Sequence, residues 1–382
     1  MRNAATYIKS WFGRFDAVTY RRPDPWLWLP AAALLLLGLL MVLNTTYFLG
    51  IEKKGDGFHF FKLHLAHIAA GLIILMLLSQ FSVAGLRRIV MPLFIVSLVM
   101  LALLYVPGLG LTKGGARRWL KLGPVVAEPS ELVKFALVFF LARFLSKRQE
   151  RIREFKHGPL AVFLIVGPIT LMILKQPDFG STVMIALILF AMLWAAGARW
   201  QHLAAAGSGA IGLLVFQAAA KSYRMKRLTT FLDPWSVARG AGFQLVQSFI
   251  ALGEGGKWGV GLGAGRQKMF YLPEAHTDFV FAVVGEEFGL VGAAVVIALF
   301  LVILFRGMRI AHDEPDPFAS LLAVGLTALL SIQALINMSV VIGLIPTKGL
   351  PLPFLSYGGT SIIIAMAALG ALLALGRRPA VR

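Results

Sequence analysis

The chain has 382 residues, of which 58% are hydrophobic and only 14% charged. That leaves too little polar surface to cover a water-soluble protein of this size, so a multi-span membrane protein is expected. It has no cysteine, which excludes a disulfide framework and a thiolate metal site and leaves the redox compartment open. About half of the formal charge of +19 suits inner loops lying on anionic lipid; the rest needs another place.

Residues 1–25 are polar and basic, with Arg2, Lys9, Arg14, Arg21 and Arg22. The apolar run after them, Trp26 to about Leu49, is long and has no small-residue cleavage site, which predicts an uncleaved first span and a cytoplasmic N-terminal segment. Further apolar runs fall near Leu63 to Phe81, Val90 to Val106, Leu132 to Leu145, Leu160 to Leu174, Ser181 to Ala196, Leu203 to Ala220, Phe279 to Phe305, Phe318 to Leu344 and Ser361 to Leu375. No alternating barrel strands are present, so the expected fold is an all-α polytopic bundle of about ten transmembrane helices. Residues 26–376 form the ten-span domain, 221–277 a large extracytoplasmic loop between spans seven and eight, and 377–382 a tail on the cytoplasmic side with the N-terminus.

Loop charge tests that topology. Arg87 and Arg88, the cluster Lys147, Arg148, Arg151, Arg153 and Lys156, then Arg199, Arg306, Arg309, Arg377 and Arg378 all fall on the inner side, as the positive-inside rule requires. The outer side is basic too. Lys113, Arg117, Arg118 and Lys121 follow span three, and Lys221, Arg224, Lys226, Arg227, Arg239, Lys257, Arg266 and Lys268 follow span seven. Long segments can escape the charge rule, which is one reading of the second group; a role toward an anionic ligand is the other. Arg117 and Arg118 sit in a short loop, where an outward basic patch suits an anionic headgroup such as a lipid diphosphate.

The outer segment contains the turn Asp233-Pro234-Trp235 and then FQLVQSFIALGEGG, whose apolar spacing predicts an amphipathic helix on or in the bilayer. The glycines from Gly259 to Gly265 lack the strand-turn-helix setting of a phosphate loop, and let backbone pack tightly against the bundle instead. Neither a nucleotide nor a nucleic acid is expected as a partner.

Several polar groups in or beside the apolar runs are candidates for chemistry, because ionisable side chains are costly there. Asp278 opens span eight, where it either caps the helix or, partly buried, takes a proton from an attacking hydroxyl; His276 is the rival base. Glu286 and Glu287 lie deeper in the same helix, about 80° and about 180° around from Asp278 at 100° per residue. They are therefore expected not to join Asp278, but to pair with a cation on a neighbouring span. In Glu128-Pro-Ser-Glu131-Leu-Val-Lys134, Glu131 and Lys134 either pair on the helix surface, or Lys134 turns inward to bind phosphate or neutralise Glu286 or Asp178. Asp178, in a Pro/Gly turn, also has a capping role open to it. The segment Gly343 to Gly359 is apolar yet broken by prolines and glycines, which predicts a re-entrant loop buried in protein, with Lys348 and Ser356 lining an outer cavity.

The stretches PEAHTDFVFAVVGEEFG, GLIPTKGLPLPFLSYGGTS, GARRWLKLGPVVAEPSELVKF, KQPDFGS and RLTTFLDPW together resemble the SEDS family of bacterial shape, elongation, division and sporulation proteins, the RodA/FtsW family. HTDF, EEFG and Thr347-Lys348-Gly349 look more like the FtsW branch, while PLPF keeps the RodA branch open. The resemblance implies a peptidoglycan glycosyltransferase of the bacterial cytoplasmic (inner) membrane that polymerises lipid II into undecaprenyl-linked glycan on the outer face. It makes Asp278 the essential acid and Glu131, Lys134, Asp178 and Lys348 important polar positions. It also implies a divalent cation (Mg or Mn), a class B penicillin-binding protein as transpeptidase partner, and other divisome or elongasome membrane proteins. On this reading Arg117, Arg118 and the cations from Lys221 through Arg224 to Arg227 stabilise the departing diphosphate. The alternatives are a lipid II flippase or another transporter, and a non-catalytic scaffold.

Overall fold

The computed structural model describes residues 23–113, 116–123, 125–219, 230–240 and 242–377. Its helices are α1 (Pro25–Lys54), α2 (His59–Ser79), α3 (Val83–Leu103), α4 (Pro129–Ser146), α5 (Pro159–Lys175), α6 (Phe179–Ala195), α7 (Trp200–Ala219), α8 (Phe243–Gly255), α9 (Val280–Asp313), α10 (Pro317–Val341) and α11 (Gly359–Leu375). Among the described residues α1, α2, α3, α9 and α10 are long and apolar enough to cross a membrane, and α5, α6 and α11 are shorter apolar helices. The protein is a helical, multi-pass membrane protein. Arg87 and Arg88, expected in a loop, belong to the first turns of α3, because Ser82 caps that helix by accepting the Gly85 N–H.

The first helix shows how local signals set boundaries. Asp24 accepts the Trp26 N–H, Pro25 occupies the first turn, and Gly55 ends the helix with φ 69° while its N–H returns to the Ile51 carbonyl. Asp24 also receives the Arg306 guanidinium, which ties the start of α1 to α9. At the same end of the bundle Arg87 pairs with Asp316, the cap of α10, at 2.7 Å.

Helix α10 is the central post, packed against α4, α6, α9 and α11, while α11 runs along α2. Two features differ from expectation. The loop before α4 is not irregular: β1 (Gly110–Lys113), β2 (Ala116–Leu122) and β3 (Val125–Ala127) form an antiparallel meander. Ala116 and Leu120, at even spacing, are buried, the mark of a strand with one covered face.

Helix α9 is also not continuous, because Gly289 has φ 65° and breaks it. The glycine run repairs the break: the N–H groups of Val260 and Gly261 donate to the carbonyls of 286 and 287, and the carbonyls of 256 and 257 accept from Leu290 and Val291. A Cβ on Gly259 would stand 2.1 Å from the Glu287 carbonyl oxygen, so the tight backbone packing expected of these glycines occurs here.

The segment from Leu350 to Ser356 is buried, as a re-entrant loop requires. Gly38 of α1 makes room for it, since a Cβ there would lie 2.3 Å from the Phe354 carbonyl oxygen.

Candidate active site

Asp278 stands in the turn before α9 and does not cap it. That helix begins after Phe279 with no side-chain cap, so the carboxylate is left over from local structure. Its backbone is pinned instead: Asn337 of α10 donates one amide hydrogen to the Asp278 carbonyl at 2.8 Å and the other to the Leu350 carbonyl at 2.7 Å. This bond joins the turn to the re-entrant loop. On that loop Gly349 leaves the carboxylate its space, because a Cβ there would lie 2.9 Å from Asp278 Oδ2. Burial pushes the Asp278 carboxyl up to about 7, Glu274 adds to the rise, and the Arg118 guanidinium opposes it.

His276 is half-buried. Its carbonyl accepts the Tyr357 N–H at 2.8 Å and its ring tilts against the Tyr357 ring with centroids 5.8 Å apart. Burial lowers its pKa, with Glu274 acting the other way, which keeps the imidazole neutral. Lys348, beside Gly349, is half-buried and also lowered by burial. Ser356 does not open onto a cavity: its buried Oγ accepts the Leu352 N–H at 2.7 Å and closes a turn of the loop.

The start of α4 supplies a second set of groups. Lys134 and Glu131 pair at 2.6 Å, but inside the bundle rather than on its surface, with side chains 0% and 3% exposed. The ammonium also donates to Gln333 Oε1 at 3.2 Å, and it neutralises neither Glu286 nor Asp178. Gln333 lies one turn from Asn337 on α10 and donates to the Pro351 carbonyl. Asp178 caps α6 by accepting the Ser181 N–H at 3.1 Å and stands 3.9 Å from Arg118. Its Oδ2 is buried without a partner, as is the side-chain amide of Gln176, among the described residues.

Arg118 reaches this cluster because of a bulge. Leu111 faces Trp119 and Thr112 faces Arg117 across the β1–β2 pair, so Arg118 is the extra residue, and bulges re-aim side chains in this way. It donates to the Pro177 carbonyl and lies within electrostatic reach of Asp278 and Glu128. Arg117 turns away to the Val106 carbonyl at 2.6 Å. Arg224 and Arg227 lie outside the described residues.

Glu286 and Glu287 stay apart from Asp278, as their helix angles require. Their cation does not come from a neighbouring span, however. Glu287 pairs with Lys268 at 2.7 Å, from the turn after the glycine run, and both bond to Asn44 of α1. Glu286 accepts the N–H groups of Arg266 and Gln267.

The polar residues Gln333 and Asn337 were not among the positions singled out from the sequence. Gln333 and Asn337 are polar residues four apart in an apolar span, a signal that marks one helix face. Among the described residues no group of three or more His, Asp or Glu is disposed to hold a metal ion.

The family described as "Cell cycle protein", which groups FtsW, RodA and SpoVE, matches residues 25–379. The chain belongs to this FtsW/RodA/SpoVE family. It is 40% identical to the probable peptidoglycan glycosyltransferase FtsW of Geobacter sulfurreducens over 92% of this chain and 94% of that one. It is 39% identical to the stage V sporulation protein E of Bacillus subtilis over 94% and 99%. Among solved structures it is similar to a chain of a peptidoglycan synthase complex that coordinates polymerization and crosslinking, with TM-score 0.74, 31% identity and coverage of 93% and 97%. It is also similar to the rod shape determining protein RodA of Thermus thermophilus, with TM-score 0.67, 27% identity and coverage of 92% and 96%.

Proposed function

We propose that this protein is a peptidoglycan glycosyltransferase that polymerises lipid II, with Asp278 as the general base. The observation that carries the assignment is a carboxylate that serves no helix, is held by its backbone, has open space left by Gly349 and is pushed by burial up to about 7 within electrostatic reach of Arg118. The 4-hydroxyl of the acceptor sugar attacks the anomeric carbon of the lipid-linked donor and passes its proton to Asp278. Undecaprenyl diphosphate departs beside Arg118, and an α-linked diphosphate becomes a β-1,4 bond, so the transfer inverts. His276, half-buried and with its pKa lowered, orients the turn through Tyr357.

The site lies on the outer face of the cytoplasmic membrane, with both termini inside, on the evidence of loop charge. Relatives named FtsW support a division role, and the related synthase complex supports a class B penicillin-binding protein as partner. The flippase reading is disfavoured because the deep ionic groups, Glu131 with Lys134 and Glu287 with Lys268, are spent on each other.

The test is lipid II polymerisation by purified protein in liposomes, with and without the transpeptidase, comparing wild type with Asp278→Ala. Glycan chains from wild type and none from a folded variant support the transferase. Labelled lipid II that crosses the bilayer while no chains form overturns it.

A further inference from the structure

At the end of the bundle where α1 begins and both α2 and α11 end, these three helices leave a groove of about 310 Å³ between them. Helices α2 and α11 touch directly: a Cβ on Gly71 would stand 2.5 Å from Met366 Sδ, and one on Gly370 2.6 Å from the Leu75 carbonyl oxygen. Helix α1 brings Ala31 and Ala32 to the groove, and their short side chains leave it open. The walls opposite are Leu72 and Leu75 of α2 and Leu369 and Leu373 of α11, which spacings of three and four turn to one face of each helix. Phe354 of the re-entrant loop closes the deep end, with its carbonyl against Gly38 of α1. The mouth holds Pro23, before α1, and Arg377, after α11. The Arg377 guanidinium donates to Gln80 Oε1 at 3.1 Å, which uses one of the hydrogens it carries. In sequence, Arg21 and Arg22 come directly before Pro23 and Arg378 directly after Arg377, while Asp24 is committed to Arg306. The groove is therefore apolar along its length and cationic at its mouth. Ser79 on its wall turns its hydroxyl back to the Met76 carbonyl.

Its dimensions select the occupant. From Met366 to Arg377 the chain rises about 16 Å at 1.5 Å per residue, and half of a hydrocarbon core about 30 Å thick is about 15 Å. The groove is one leaflet deep. Spread over that length, its volume leaves a cross-section of about 20 Å². That admits a single hydrocarbon chain and excludes a partner helix, which is about 10 Å across and needs about four times the area. Trp28 and Leu72 on its rim stay exposed, so the groove opens sideways to lipid, with the indole of Trp28 near the mouth as a membrane interface favours. We propose that this groove binds one acyl chain of an anionic phospholipid of the cytoplasmic leaflet, with the headgroup phosphate at Arg377. A guanidinium takes phosphate through two parallel N–H bonds, and the methylenes of the chain pack against the leucine walls. The chain end meets Phe354 and so lies beneath the loop that carries Gly349 to Asp278. The site stands whether or not Asp278 is a transferase base.

The test is lipid binding by the purified full-length protein in detergent micelles, titrated with phosphatidylglycerol or phosphatidylcholine of the same acyl chains. Native mass spectrometry reads the lipid bound per protein. Wild type is expected to hold one phosphatidylglycerol about fivefold more tightly than phosphatidylcholine, the effect of one cation near a headgroup. Arg377→Gln should bring the two lipids to equal affinity. Ala32→Phe fills the groove and should abolish binding of both at concentrations that saturate wild type. Leu36→Phe, on an exposed face of the same helix, should change neither. Leu72→Trp narrows the same space from α2 and covers the case in which Ala32→Phe folds poorly. Equal binding of the two lipids by wild type, or unchanged binding in a folded Ala32→Phe, overturns the proposal. A preference for phosphatidylglycerol that survives Arg377→Gln overturns the placing of the phosphate. Self-association of wild type that disappears in Ala32→Phe while no lipid binds gives the groove to a second copy of the chain, and overturns the proposal as well.

Discussion

The two ends of one stretch, Asp278 before α9 and Glu286 with Glu287 inside it, treat the same functional group in opposite ways. Glu287 receives Lys268, Asn44 and the Gly263 N–H, and Glu286 receives two backbone N–H groups. Asp278 receives nothing at its carboxylate from the described residues, although its carbonyl is held. A buried charge that is fully paired costs little and does no chemistry, whereas one left unpaired keeps a raised pKa and the capacity to accept a proton. The deeper pair clamps the glycine run across the break in α9, and so sets the direction from which the outer half of that helix presents Asp278.

The sharpest way to break the contrast is Asp278→Asn. Polymerisation should fall by at least about 10²-fold, while the fold is kept. The folded carboxyl sits at about 7 against an ordinary 3.8, so wild type loses stability as pH rises through that window. Thermal unfolding should therefore show the Asn variant more stable than wild type at pH 8 and equal to it below pH 4. A variant that is destabilised at pH 8 would mean that Asp278 is structural after all.

Next in size, Lys268→Met strands Glu287 in the interior and should cost about 3–5 kcal/mol, read as a lower midpoint of unfolding. Lys268→Met combined with Glu287→Leu should recover most of that loss, since an apolar pair replaces a buried ion pair at little cost. If the double variant is as unstable as the single, the clamp depends on Asn44 rather than on charge.

Gly349→Ala should act on the site alone. A methyl 2.9 Å from Asp278 Oδ2 displaces the carboxylate and should lower kcat by about tenfold with little change in unfolding. The smallest effect is expected from Glu274→Gln. It removes a neighbouring negative charge from Asp278, so the acid limb of the pH profile should move to lower pH by a fraction of a unit without loss of maximal rate.

Much of this molecule was legible in its residue pattern. Apolar runs near the length of a bilayer core marked the long helices, the Pro/Gly-broken stretch from Gly343 to Gly359 marked the buried loop, and FQLVQSFIALGEGG marked α8. The meander before α4 was not legible, because its strands are only a few residues long and carry cations where alternation would show. The clamp was not legible either. Lys268 looks like one more outer cation, and only the folding back of the glycine run over Gly289 brings it to Glu287.

Glu131 and Lys134 show where the boundary falls. Their spacing by three on a helix settles that they meet, since 3.6 residues per turn places them on one face. It cannot settle whether that face looks to lipid, water or protein, and α10 decides this by laying Gln333 over Lys134. Local periodicity determined the elements, their order and the polar positions worth explaining. Which carboxylates were paired and which were left without a partner was decided in three dimensions, because the partners come from segments far apart in the chain and burial, the first cause of the raised pKa at Asp278, is a property of packing.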